Sequence, residues 1–424
     1  MPGDFTIGDD GRRRTSDQLD LLTRANPGRV AWDSEAPADF TYLYDPDHLL
    51  VRAEDVSAFE AALDRNDSAV ARSRSRDPDP IEGRLARYSL TGRPQGQSIV
   101  DLLELLDADP EFGPDRARLD HWMHVTPVGK CCPATEPEET GLSEPWPPVC
   151  DDRRRGEGVG VVVVDTGWHP PAATPGGPTP WLLGVEGDQE VNGADLGEYA
   201  GHGTFIAGVV RCLAPASSVW VDGFAVNGVV GGGVLESDMV RQLIEAVDHH
   251  DPRVINLSAG CRTRGDQEPL SFEVFWESHL KERNCVLVAA AGNDSSPYPF
   301  WPAAFDWAVG VGSLDRDGRV SSFSNFCASA DVYALGRNIV NAFPDGRYVC
   351  RETPSTGDVR EFRTGLARWS GTSFAAPIVA GLIAVEVGTN GGDAQAAREK
   401  VLSSALRTSD PEVGPIRVLR QPYC

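Results

Sequence analysis

The tightest constraint on the fold is a run of β-branched residues, Val159 to Val164, broken only by Gly160 and ending in Asp165-Thr166-Gly167. A strand that is apolar on both faces must be covered on both, as in a parallel sheet sandwiched by helices. Similar short apolar runs fall at residues 219–224, 254–257, 286–290 and 308–311, with helical patterns between them at 203–212, 236–249 and 270–282. This alternation predicts an α/β unit over residues 156–408, a parallel sheet with helices on both faces. Catalytic groups in such sheets gather at the carboxyl ends of the strands, which is where Asp165 stands.

The chain has 424 residues, enough for a second, smaller unit before this one. Residues 40–126 read as strand (41–51), helix (55–63), strand (85–90), helix (98–106) and strand (119–125), a small α+β domain. The polar residues 1–39, broken by Pro27 and Gly28, read as a flexible arm. Residues 127–155, with Pro133, Pro137, Pro145, Pro147, Pro148 and several glutamates, read as an extended linker. Residues 409–424 read as a short tail.

A formal net charge of -24 repels phosphate backbones and anionic bilayers, so neither nucleic acid nor membrane is expected as a partner. No window approaches the ~20 apolar residues of a membrane span. Arg12, Arg13 and Arg14 are followed by Asp17 and Asp20 and not by an apolar run, so no signal peptide is recognised. The expectation is a cytoplasmic protein, with export by an unrecognised route left open. Nine cysteines cannot all pair within one chain, and reduced structural thiols are expected. The adjacent Cys131 and Cys132 lack the spacing of a zinc site.

Two further segments carry chemistry. Gly201-His202-Gly203-Thr204 opens an apolar helix, and the flanking glycines permit close backbone approach beside an imidazole. Gly371-Thr372-Ser373-Phe374-Ala375-Ala376-Pro377 begins a helix that is apolar all round, with Ser373 in its first turn, where the helix dipole favours negative charge. Each has an ordinary reading: Asp165 and Ser373 as helix or turn caps, His202 as a structural histidine. The order Asp, His, Ser separates this set from His-Asp-Ser and Ser-Asp-His arrangements.

Taken together, these three segments resemble the subtilase family of serine peptidases. Ile255-Asn256-Leu257-Ser258-Ala259-Gly260 and Ala289-Ala290-Ala291-Gly292-Asn293 are similar to further motifs of that family, as are Pro302-Ala303-Ala304 and Ser321 to Phe326. The resemblance implies a subtilisin-like fold, a catalytic triad of Asp165, His202 and Ser373, and an oxyanion hole built with Asn293. It also implies that Ser258, Ala259, Gly260, Ala290, Ala291 and Gly292 wall the pocket for the residue before the scissile bond, small walls that leave room for a large side chain. Read alone, Asn293 after Gly292 is a left-handed turn residue. Cys261 stands where the family often has glycine, which questions the pocket floor, and Trp168 and His169 are unusual neighbours of the Asp motif.

By resemblance, residues 40–126 occupy the place of a ferredoxin-like prodomain, an intramolecular inhibitor whose residues 121–130 enter the cleft and which is cut away between Lys130 and Gly156. A permanent regulatory domain is the alternative. The expected partners are protein or peptide substrates. No cofactor is expected and no metal site is assigned, with calcium undecided. Two other functions share these residues: a peptide macrocyclase, in which an amine resolves the acyl-enzyme, and an inactive binding scaffold.

Overall fold

The computed structural model describes residues 9–36, 39–124, 134–141, 144–170, 177–190, 192, 195–223, 232–420 and 423–424. The chain opens with helix α1 (Asp9–Ala25). A small unit follows: β1 (Leu43–Arg52), α2 (Val56–Asn66), β2 (Ser75–Arg76), β3 (Leu85–Ser89), α3 (Ile99–Asp107) and β4 (Ala117–His124). Its strands lie antiparallel in the order β4-β1-β3-β2, the arrangement of a split βαβ unit. Ser98 starts α3 through a capping box with Asp101. Leu102, Leu103 and Leu106 then face Phe59, Leu63 and Leu49 in the unit's own core.

The larger unit contains β5 (Gly160–Asp165), α4 (His202–Leu213), β6 (Ser218–Gly223), β7 (Gly233–Leu235), α5 (Glu236–His250), β8 (Val254–Leu257), α6 (Leu270–Phe275), β9 (Val286–Ala290), β10 (Val309–Leu314), β11 (Val332–Leu335), β12 (Ile339–Ala342), β13 (Leu366–Trp369), α7 (Thr372–Thr389), α8 (Ala394–Ser404), β14 (Leu406–Asp410) and β15 (Gly414–Val418). Its main sheet runs β14-β15-β11-β10-β9-β8-β5-β6, then a short strand Glu186–Gly187. All pairs are parallel except the β14–β15 hairpin. Side chains on one face (Val161, Val163, Val254, Val286, Val288) pack with α4 and α7, while those on the other (Val162, Val164, Ile255, Leu287) pack with α5 and α6. The two-sided strand read from the Val159–Val164 run is therefore covered as expected. Helix α7 is long and apolar enough to cross a membrane, but it runs through the core with most of its residues buried.

Four expectations change. Residues 1–39 are not a loose arm over their described part, because α1 is docked. Leu19 and Leu22 pack with Val30, Leu43, Trp122 and Leu235. Arg14 Nη2 and Gln18 Nε2 donate to the buried Glu352 carboxylate at 2.9 and 3.1 Å, and Thr353 Oγ1 donates to Asp17 at 2.9 Å. The polar composition disguised one apolar stripe and a set of long-range polar partners.

The stretch 127–155 is likewise more than a linker from Ala134 onward. Glu138–Glu139 pairs antiparallel with β13, Trp146 bridges Val340 through a 2.7 Å backbone bond, and Tyr348 Oη donates to Glu136 at 2.9 Å. Proline and glutamate allow an edge strand as readily as a free tether. The tail 409–424 contributes β15 to the main sheet, and Tyr423 Oη accepts from Leu335 N–H at 2.9 Å. Finally, Cys150 and Cys424 form a disulfide across 274 residues of sequence, so the expectation of reduced thiols fails for this pair. Cys212, Cys261, Cys285, Cys327 and Cys350 are unpaired thiols.

Leu22 is 1% exposed between the two units. Leu22→Ala should loosen α1 locally by roughly 2–4 kcal/mol, the usual cost of emptying such a site. Amide exchange in residues 14–24 should rise by about tenfold or more with the catalytic unit's exchange unaltered, whereas unchanged protection would contradict this docking.

Candidate active site

Asp165 ends β5 next to the central break in strand sequence, and its side chain is buried. Its Oδ1 accepts 2.7 Å hydrogen bonds from Thr166 N–H and from His202 Nδ1. Among the described residues its Oδ2 has no hydrogen-bond partner. His202 is the first residue of α4 and is fully buried. The glycine on each side is required by geometry. Gly201 has φ +77, and a Cβ there would lie 2.3 Å from Pro344. A Cβ on Gly203 would lie 2.5 Å from Gly167 O and 3.3 Å from Asp165 Cβ, so α4 could not approach the Asp loop.

The remaining imidazole nitrogen, His202 Nε2, has no hydrogen-bond partner among the described residues, Ser373 included. The ring lies 5.4 Å from Phe374 and meets Trp369 edge-on at 5.4 Å, centroid to centroid. Phe374 follows Ser373 directly, so the histidine helix and the serine helix meet at this ring contact. Ser373 is 1% exposed. It is not a helix cap: α7 starts at Thr372 after Gly371, with no side-chain cap bond. Nucleophile and base hydrogen bonds are commonly long without substrate and tighten in the complex.

Asn293 is buried, and its Oδ1 accepts from Thr372 N–H at 2.8 Å. That bond holds the carbonyl end of the amide beside the first turn of α7. Gly292 N–H donates to Thr372 Oγ1 at 3.2 Å, a second stitch between the same segments. The left-handed turn residue is Gly292, with φ +97, and not Asn293, so the turn reading of the asparagine fails.

Ser258 Oγ donates to Ser373 O at 3.1 Å. Gly260 exchanges two 2.9 Å backbone bonds with His124, the last residue of β4, while β7 pairs with β4 from the other side. The end of the N-terminal unit is thus a middle strand between two edges of the catalytic unit. Two carboxylates secure it. Asp120 accepts from Ser237 Oγ at 2.7 Å at the start of α5. Glu236 accepts from His121 N–H at 3.1 Å, from His121 Nδ1 at 2.7 Å, and from the Ser271 hydroxyl at the start of α6. Acidic groups at helix amino ends are favourably placed. Residues 125–130 of the segment expected to enter the cleft lie outside the described residues.

Cys261 borders a small cavity shared with Trp122, His124 and Phe300. Its backbone pairs with Trp301 at 2.9 and 2.8 Å, and the thiol is buried, with burial pushing its pKa well above the ordinary value. Trp168 is buried in the core, and its backbone pairs with Asp188 and Glu190. Thr204 Oγ1 accepts from His169 N–H at 2.9 Å. Ala290 and Ala291 are buried behind β10.

Two residues without a sequence signal stand beside these. Both oxygens of Glu190 accept from Gly201 N–H, at 3.0 and 2.9 Å, which anchors the start of the histidine helix. Burial, and then the nearby Asp165, push its carboxyl up to about 8, with the Gly201 bond opposing. Phe300 packs against both glycine walls: a Cβ on Gly260 would lie 2.3 Å from its ring, and one on Gly292 3.0 Å.

The subtilase family model matches residues 156–414. The chain belongs to the subtilase family. It is 33% identical over 193 residues to a thermophilic serine proteinase of Bacillus sp. (strain AK1), covering 43% of this chain and 42% of that protein. It is 28% identical over 298 residues to the M-protease of Shouchella clausii (strain KSM-K16), covering 68% of this chain and 66% of that one. The chain thus spans less than two thirds of the length of these two relatives. Among solved structures, fervidolysin from Fervidobacterium pennivorans, described as a keratinolytic enzyme related to subtilisin, matches with a TM-score of 0.59 at 18% identity. That match covers 90% of this chain and 61% of the other, and shows the shared fold. The α/β architecture expected for a subtilase is the one observed.

His124 is enclosed at this subtilase's interface, and burial pushes its pKa down to about 3. Once undocked it would titrate near 6.5. The released form then binds a proton that the docked form excludes, so docking is at full strength above about pH 6.5. The His124 contribution is lost as pH falls toward 3, by up to roughly tenfold per pH unit, while burial pushes the Asp120 carboxyl of the same seam up to about 6, which offsets that loss between about pH 4 and 6. In Asp120→Asn protein, exchange of the Gly260 amide should therefore accelerate between pH 6.5 and 4, after correction for intrinsic rates, and a flat corrected profile there would refute the assignment.

Proposed function

We propose that the chain is a serine endopeptidase that hydrolyses peptide bonds through an acyl-enzyme on Ser373. The observation that carries this reading is the 2.7 Å bond from His202 Nδ1 to the buried Asp165 carboxylate. It leaves Nε2 as the free basic atom on a ring packed against the residue after Ser373.

A serine hydroxyl is a weak nucleophile at neutral pH and needs a base. In this reading His202 Nε2 takes the Ser373 Oγ proton as the oxygen attacks the peptide carbonyl, and Asp165 holds the tautomer and stabilises the imidazolium that forms. The tetrahedral oxyanion receives hydrogen bonds from the Asn293 amide and the Ser373 N–H. His202 then protonates the leaving amine, and water repeats the sequence on the acyl-enzyme. The backbone of Ser258 to Gly260 receives the peptide as an added strand, and β4 of the N-terminal unit holds part of that edge, which supports its role as an intramolecular inhibitor. A cut that releases this unit falls before Ala134, because from there on the chain is built into the catalytic unit.

A fluorophosphonate probe should label the wild-type active form at Ser373, and Ser373→Ala should abolish labelling. Equal absence of labelling in both would leave the scaffold reading in its place. Asn293→Ala should lower kcat by roughly 10²–10³, the loss known for the corresponding donor in subtilisin itself, with KM little changed. Amino-terminal sequencing of the active form should give a start after Lys130 and no later than Ala134. A single active species that retains the whole N-terminal unit would mean a permanent regulatory domain.

A further inference from the structure

We propose that Phe300 closes the bottom of the pocket for the residue before the scissile bond, so that this enzyme cuts after small side chains such as Gly, Ala or Ser. The inference rests on the peptidase reading above and on the two wall segments assigned there.

Small residues at 259, 260 and 290–292 line a roomy slot when the walls are considered alone. The structure fills the space between them. The Phe300 ring reaches both glycine walls: a Cβ on Gly260 would lie 2.3 Å from Cε1 and 2.8 Å from Cζ, and one on Gly292 would lie 3.0 Å from Cδ1 and from Cγ, with Asn325 Nδ2 nearer still at 2.3 Å. The Cδ1–Cε1 side of the ring thus lies against both walls. The ring helps to require glycine at both positions, together with Trp301 O, 2.5 Å from an added Cβ at Gly260, and with the φ of +97 and the Asn325 contact at Gly292.

The backbone that carries the ring is also held in place. Phe300 N–H donates to Ser329 Oγ at 2.8 Å, and Phe300 O accepts from Ala304 N–H at 3.0 Å. Ser329 Oγ donates in turn to Tyr298 O at 3.2 Å. The next residue, Trp301, is paired on both backbone groups with Cys261, which extends the Ser258 wall. Phe300 is 2% exposed with the N-terminal unit docked, and these bonds fix the backbone from which the ring projects. On the Gly292 side, Asn325 Nδ2 would lie 2.3 Å from an added Cβ, and Asn325 Oδ1 accepts from Asp294 and Ser296 N–H at 2.8 and 3.0 Å. That wall is therefore fixed as well. A large side chain entering between the walls would have to displace a packed aromatic ring, and close-packed interiors resist this.

The test is the ratio of kcat/KM for two otherwise identical peptides with Ala or Phe before the scissile bond, a ratio from which the amount of folded enzyme cancels. The active form should favour the Ala peptide by at least tenfold. Phe300→Ala should shift the ratio at least tenfold toward Phe, and Phe300→Leu should shift it less. Fragment mapping of a denatured protein digest should independently show cuts after small residues. Preferred cutting after Phe or Leu by the wild type, or an unchanged ratio in Phe300→Ala, overturns this inference while leaving the peptidase intact. A wild type that neither cuts peptides nor labels at Ser373 overturns the peptidase reading, and this inference with it.

Discussion

The structure turns on the hydrogen bond between His202 Nδ1 and Asp165 Oδ1, since three independent pieces of architecture must agree for it to form. The parallel sheet delivers Asp165 at the end of β5. Helix α4 delivers His202 at its first position, and can come close enough only because Gly203 has no side chain to strike Gly167. Thr166 Oγ1 accepts from Gly203 N–H at 3.2 Å, and Glu190 accepts from Gly201 N–H, so the helix start is tied on both sides. Fixing these groups in advance avoids the cost of reorganising them during a reaction, which is where much of the power of such sites lies.

Around this pair the molecule spends an unusual amount of polar chemistry on holding its two units together. Arg52 and Arg118 of the small unit reach Glu273 and Glu277 of the large one, and Asp120, held within the small unit by the buried Arg87, also accepts from Ser237 of the large one. Losing a partner of the buried Arg87–Asp120 pair is costly, whereas the partly exposed pairs between the units each add little and serve to fix the docked geometry. Helix α1 reinforces that geometry from outside by bridging the apolar cluster around Trp122 to the loop at Glu352. Separating the units therefore means breaking a strand pairing, a charge network and a helix dock together.

Much of the catalytic unit was legible because its signals are local and repeated. Continuous apolar runs mark strands buried on both faces, and the glycines around His202 and the small residues after Ser373 announce tight approach. The N-terminal unit was legible as strands and helices, apart from the short strand Ser75–Arg76 and the order in which the strands pair. Residues 9–25 and 134–150 were misread because a polar or proline-rich segment does not declare its partners. Arg14 and Gln18 meet Glu352 across more than three hundred residues, and Glu136 meets Tyr348 across more than two hundred. The Cys150–Cys424 disulfide escaped for the same reason: an odd cysteine count says nothing about which two sulfurs meet.

The sequence by itself determined the element types, the parallel sheet and the identities of the chemically capable residues, because helix and strand periods and glycine tolerance are written within a few neighbouring positions. Only the tertiary structure decided how those residues are used. It assigned the left-handed turn to Gly292, tied the Asn293 carbonyl to the start of α7, buried the Cys261 thiol, and set Glu190 behind the histidine helix. It also pressed Phe300 between two walls that looked open. Each of these depends on which distant segment fills the space beside a residue, and that is fixed by packing in three dimensions.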